Sequence, residues 1–307
     1  MPRIPTRILL GIIAGLLLVT AGLAWRRIQS ANSFFEPRTL LSRFPAEEAL
    51  AMSVDVSALR AAGLLQEAKV STEPDYKQFV EGTGFDYRRD LDSLTASFAR
   101  SGTYFIARGR FDWKKLRDYA ARQGGSCYQE LCRVQGSRPE RHISFLPLRQ
   151  DALALAVSGN DLAATLLTNV RQPVTGPVPA APAWISVPGT ELRRQDALPP
   201  QMHLMLSALS SADRVVITFG PAGGSNSGTI EAQLEATCRT EADARTLTSQ
   251  LRSTTAILKE ALLKGQKLPD DTVATALTAG TFDQTDRRVT GHWPIGKDFI
   301  EALTNGI

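Results

Sequence analysis

The run ILLGIIAGLLLVTAGLAW, Ile8 to Trp25, holds eighteen residues without a charge. Nothing else in the chain limits its architecture so strongly. Wound as an α-helix at about 1.5 Å per residue it reaches about 27 Å, close to the hydrocarbon thickness of a bilayer. Arg3 and Arg7 precede it, and Arg26 and Arg27 follow it. Trp25 stands at one edge, where an indole favours the headgroup region. The spacing predicts a transmembrane helix within residues 1–27, retained as a signal anchor. A cleaved signal peptide is the competing reading. Gly22-Leu23-Ala24 offers small residues at a cleavage spacing, but the apolar run is long for such a peptide.

The same segment accounts for the charge. The chain has 35 Lys and Arg against 31 Asp and Glu. The excess is Arg3, Arg7, Arg26 and Arg27, so residues 28–307 balance at 31 to 31. A body without net charge lacks the concentrated positive field that binds a phosphate backbone, and nucleic acid is not an expected partner. An apolar content of 43% over 307 residues supports a folded body with room for two units.

Cysteine usage bears on the compartment. In GGSCYQELCR, Cys127 and Cys132 flank YQEL, which can turn a hairpin and bring the sulfurs together. A bridge there implies an oxidising compartment. The alternative is two thiols that never meet, since spacing alone does not fix geometry. Cys238 reads as a buried spectator in a strand. The expected location is the bacterial inner (cytoplasmic) membrane, crossed once, with the body in the periplasm or another extracytoplasmic space.

Residues 28–46, with Pro37 and Pro45, read as a tether. The first unit, 47–170, opens with a strand over 49–54 and a helix that Ser57 is placed to cap. A hairpin follows around Arg100-Ser101-Gly102. Asp112 then caps a helix whose Trp113, Leu116 and Ala120 share a face. HISFLPL and DALALAV read as strands. Residues 171–183, RQPVTGPVPAAPA, contain four prolines and suit neither helix nor sheet interior, so a semi-extended linker is expected.

From 184 to 307 the order returns: strand, helix, a hairpin around Gly220–Gly228, a long helix capped by Thr240, then closing strands and a last helix near Pro294. In the long helix Leu247, Leu251, Leu258 and Leu262 form one stripe. DALALAVSGNDLAATLLTN and DRRVTGHWPIGKDFIEALTN both close on Leu-Thr-Asn, 136 positions apart. The fold expected is α+β: an N-terminal transmembrane helix, then two similar ferredoxin-like units, each an antiparallel sheet with helices.

Motifs for chemistry are sparse. His142, His203 and His292 are isolated in sequence and fit no zinc pattern. Cys127 and Cys132 have the wrong spacing for a zinc knuckle. Asp86, Asp90 and Asp92 form the densest acidic group, yet Arg88 and Arg89 lie among them, and a helix start is the better reading than a cation site. GPAGGSNSG, Gly220 to Gly228, lacks the lysine of a phosphate loop and the second glycine of G-x-S-x-G. No Ser-x-x-Lys and no G-x-G-x-x-G occurs. No catalytic residue, cofactor or metal is expected.

The layout of short tail, single span and ferredoxin-like modules resembles the inner-membrane assembly proteins of type IV pilus and type II secretion systems. Those proteins usually place a coiled coil after the span, and residues 28–46 do not supply one. The resemblance implies a non-catalytic interaction or assembly scaffold in the cell envelope, with a protein partner and the bilayer held through residues 8–25. A second reading is a binding module for an apolar ligand or lipid, held between the Glu241–Lys264 helix and its sheet. A third is a hydrolase, which needs Asp86 or Asp90 to converge with a distant partner.

Overall fold

The computed structural model describes residues 33–45, 48–63, 74–136, 138–171, 173–174, 177–194, 209–221, 230–264 and 278–295. The apolar run 8–25, His203, most of the Gly220–Gly228 loop and the expected last helix lie outside the described residues, as do the side chains of Leu258 and Leu262. No helix among the described residues is long and apolar enough to cross a membrane.

Among the described residues, twelve strands alternate with helices. Helix α1 (Pro37–Leu41) leads to β1 (Leu50–Asp55), then α2 (Val56–Ala61), α3 (Pro74–Thr83) and α4 (Tyr87–Asp90). The hairpin β2 (Leu91–Ala99) and β3 (Gly102–Gly109) precedes α5 (Trp113–Arg122). Next come β4 (Ser126–Tyr128), β5 (Leu131–Gln135), β6 (His142–Arg149), β7 (Ala152–Ser158) and a 3-10 helix at Ala163–Thr168. The second half holds β8 (Ala183–Pro188), α6 (Gly189–Leu192), β9 (Ala212–Pro221), β10 (Ile230–Cys238), α7 (Glu241–Leu263), β11 (Thr281–Thr285) and β12 (Arg288–Ile295).

The strands form one sheet in the order β11-β12-β10-β9-β8-β1-β2-β3-β7-β6-β5-β4. Every pairing is antiparallel. The centre is the β1–β8 pair, where Met52 faces Ile185. Outward from it the sheet runs β1-β2-β3-β7-β6 on one side and β8-β9-β10-β12-β11 on the other, and β5-β4 extends the first side. The protein is thus a mixed α and β molecule built on a large antiparallel sheet.

The ferredoxin-like expectation does not describe this sheet. Such a unit places an antiparallel strand between two parallel strands joined by a helix. Here β1 and β2 are immediate antiparallel neighbours, as are β8 and β9. The helical connection from β1 returns the chain beside its start. Arg60 of α2 pins that return by donating to the carbonyls of Arg88, at 2.6 Å, and Leu91.

Successive side chains on a strand point to opposite faces, and the halves bury different ones. In the second half, Leu234, Ala236, Val289 and Trp293 pack with Ala244, Leu247 and Leu251 of α7. Thr240 and Asp243 cap α7 reciprocally: the Thr240 hydroxyl accepts from the Asp243 amide at 3.1 Å, and the Asp243 carboxylate accepts from the Thr240 amide at 3.2 Å. In the first half, Tyr104, Ile106, Ala154 and Ala156 lie on the opposite face, covered by Leu40 of α1, Phe44 and Leu167 of the 3-10 helix.

Two boundary expectations change. Within the tether 28–46, residues 33–45 belong to the body, because Leu40 and Phe44 are 2% and 3% exposed. The proline-rich stretch expected as a linker is tied to the fold at Arg171 and at Pro182. The Arg171 amide donates to the Ser42 carbonyl at 2.8 Å, and the Pro182 carbonyl accepts from the Asp55 amide at 2.6 Å. Asp55, not Ser57, caps α2 by accepting from the Ala58 amide at 2.9 Å.

Candidate functional site

The acidic group of the first half closes into a clamp. Asp86 caps α4, and its backbone amide donates to the Asp90 carboxylate at 3.0 Å. Asp90 is 7% exposed and also receives Arg89 at 2.9 Å and Arg110 at 3.0 Å. Burial works to raise its carboxyl, but the hydrogen bonds from Arg89, the Asp86 amide and Arg110 outweigh that and hold it at about 2. The Arg88 guanidinium similarly lowers Asp86. The contacts between Arg110 and Asp90 tie α4 to the residue that follows β3. Asp92 points elsewhere, to Arg60 at 3.6 Å.

The other sequence candidates separate. His142 sits in β6 opposite Ser158, and His292 in β12 meets the Glu231 carboxylate at 2.9 Å. Gln233 and then His292 lower the Glu231 carboxyl through hydrogen bonds. Among the described residues no three metal-binding side chains converge. Cys127 and Cys132 face each other across the two-residue turn of the β4–β5 hairpin, with Cα atoms 4.0 Å apart, and are joined as a disulfide. Cys238 is a buried thiol whose pKa is raised by that burial.

The site that sequence reading missed is a row of side chains at one register position. From the edge inward it runs Cys127, Cys132, Phe145, Leu155, Phe105 and Ala96. It continues through Met52, Ile185, Ile217, Leu234, Gly291 and Phe282. Not one member is polar. In the second half α7 covers it, with Ala244, Leu247 and Leu251 in the same buried cluster. In the first half, Leu155, Phe105, Phe145 and Met52 are only half-buried, and neighbouring Phe98 is 39% exposed. Strand β7 shows the asymmetry within one element. Its Ala152, Ala154 and Ala156 are fully buried on the far face, while the larger Leu153, Leu155 and Val157 take the less covered side. The sequence signal was there in ALALAVS, which is apolar on both faces.

A cavity of about 460 Å³ opens on the opposite face at the sheet centre, roofed by residues 35–38 and 178–182. Its floor is polar, with Ser53 and Thr95 hydrogen-bonded at 3.0 Å and Arg108 beside them.

No known family model matches the chain, and no curated protein does. Similar solved structures are crystal forms I and III of TP0453, each 9% identical with a TM-score of 0.47. They cover 88% and 86% of this chain, and 96% of their own. Crystal form IV of TP0453 is 8% identical with a TM-score of 0.43.

Proposed function

We propose that this chain is a membrane-anchored, extracytoplasmic protein of non-catalytic type that serves as an interaction or assembly scaffold in the cell envelope. The observation that carries this reading is the half-exposed apolar face of β1, β2, β3, β7 and β6, centred on Phe98, Phe105 and Leu155. A contiguous apolar surface of that kind marks a place where another molecule excludes water. Support comes also from the outward strand order shared by the two halves, which fits an internally duplicated body offering one extended sheet, and from the Cys127–Cys132 bridge, which fits an oxidising compartment.

The test is site-specific photocrosslinking of the full chain in its own membrane. A photoreactive side chain at Phe98 is expected to give one discrete adduct, and the same group at Gln233, on the opposite face, is expected to give none. Absence of an adduct at Phe98, or the same adduct from both positions, refutes the scaffold reading.

A further inference from the structure

Phe34 and Phe35, just before α1, lie under guanidinium groups rather than in open solvent. Arg43 stacks over the Phe34 ring at 4.6 Å, Arg108 over Phe35 at 4.4 Å, and Arg149 reaches both, at 5.1 and 5.8 Å. These three cations come from three separate elements, the α1 region, β3 and β6. Two of them share one carboxylate, Asp151, which Arg108 meets at 3.6 Å and Arg149 at 3.8 Å. Arg43 instead donates to the carbonyls of Leu167 and Thr168, at 3.4 and 2.8 Å. Arg108 also lines the neighbouring cavity, together with Arg38, Glu36, Asp55 and Asp92. The side chains of Arg108 and Arg149 are each 37% exposed, so their guanidiniums are reachable from solvent.

We infer that Arg108 and Arg149, held over Phe34 and Phe35, form a seat for the phosphate groups of anionic lipid headgroups and set the body against the bilayer surface. The inference rests on the anchor reading. From Trp25 to Phe34 there are nine residue steps, which span at most about 30 Å fully extended. A patch so tied stays close to the headgroup layer, where an anionic surface attracts arginine within a Debye length. The chemistry suits phosphate. A guanidinium is planar, permanently charged and able to give two parallel hydrogen bonds to one phosphate. An aromatic ring beneath it fixes the plane without competing for the N–H donors. Leu40 and Phe44 are buried in the first-half core, so the entry segment cannot swing away from Arg108 and Arg149. Seating the bilayer on this side leaves the apolar row, on the other face of the sheet, turned outward.

The test uses the full chain reconstituted in vesicles of phosphatidylcholine alone or of phosphatidylcholine with phosphatidylglycerol. Arginine modification by a dicarbonyl reagent is followed residue by residue by peptide mass. On phosphatidylglycerol, modification of Arg108 and Arg149 is expected to slow about fivefold or more, and to recover at high salt. Arg245 on α7 is expected to react equally on both vesicles. The doubly substituted R108Q/R149Q chain is expected to lose the lipid dependence of hydrogen exchange over residues 33–45. Equal rates on both vesicles overturn the seat while leaving the anchor intact. Equal protection by inorganic phosphate on phosphatidylcholine also overturns it, since the site would then be an anion site and not a lipid seat. A chain that fails to float with vesicles overturns the anchor reading, and the seat with it.

Discussion

Arg110 and Asp90, twenty positions apart, meet through two hydrogen bonds of 3.2 and 3.0 Å at the mouth of the β2–β3 hairpin. Arg89 reaches the same carboxylate from the neighbouring position. Replacing Asp90 with Asn removes the charge but keeps the shape, and it is expected to cost about 1–3 kcal/mol in urea denaturation. Acid should act on the same pair. The folded-state pKa lies below the ordinary value of 3.8, at about 2. Its contribution is therefore complete above about pH 4 and is lost as pH falls through about 2. The Asp90→Asn protein should show a shallower loss of stability over that window.

Leu40 and Phe44 make a second prediction. Leu40→Ala and Phe44→Ala should each lower stability by about 2–5 kcal/mol, because each leaves a void against Tyr104, Ile106 and Leu167. Thermal or urea melts of the full chain measure this. A loose tether would give no change.

The β4–β5 hairpin tests the disulfide. In the chain-entropy account, a bridge closing so short a loop contributes about 2 kcal/mol. A reductant should lower the unfolding free energy by about that amount. The single change at Cys132, which is 1% exposed, should cost more than the one at exposed Cys127.

Neighbouring positions on β7 should differ in how much a substitution costs. Ala154, fully buried between Ile106 and Leu146, has no room. Ala154→Leu is expected to cost about 1–3 kcal/mol through overpacking. Leu155→Ser, on the half-exposed face, should cost about 1 kcal/mol with an unchanged denaturant slope. A larger loss at Leu155 than at Ala154 would contradict the exposure assigned to that face.

Local chemistry made much of this fold legible in sequence. Asp112 caps α5 by accepting from the Lys115 amide at 3.1 Å, and Thr240 caps α7, as their hydroxyl or carboxylate side chains suggest. Leu116 and Ala120 face inward as their spacing requires. Short apolar runs marked β6, β7 and β10. What stayed hidden depends on partners distant in the chain. Nothing in AMSVDV and AWISVP announces that Met52 will face Ile185, because an antiparallel register is set by the two strands jointly. The prolines of 171–183 signalled irregular backbone but not its docking onto Ser42 and Asp55. The helix after β7 came out as 3-10, with the Ala164 amide turned to the Ser144 hydroxyl at 3.0 Å, an attachment that sequence spacing does not encode. The acidic group 86–92 read as a helix start, and it is one at Asp86. Its link to Arg110 required knowing that β3 ends beside β2.

The pairing of β1 with β8 bears on how this polypeptide can be cut. A fragment ended in the proline-rich stretch would carry β1 with one side stripped of its mate, four positions from Ala51 to Val54 presenting bare amides and carbonyls. Such raw borders recruit foreign strands. Dissecting the molecule into halves is therefore expected to yield sticky, clumping pieces rather than two well-behaved modules, and the smallest soluble piece should contain both.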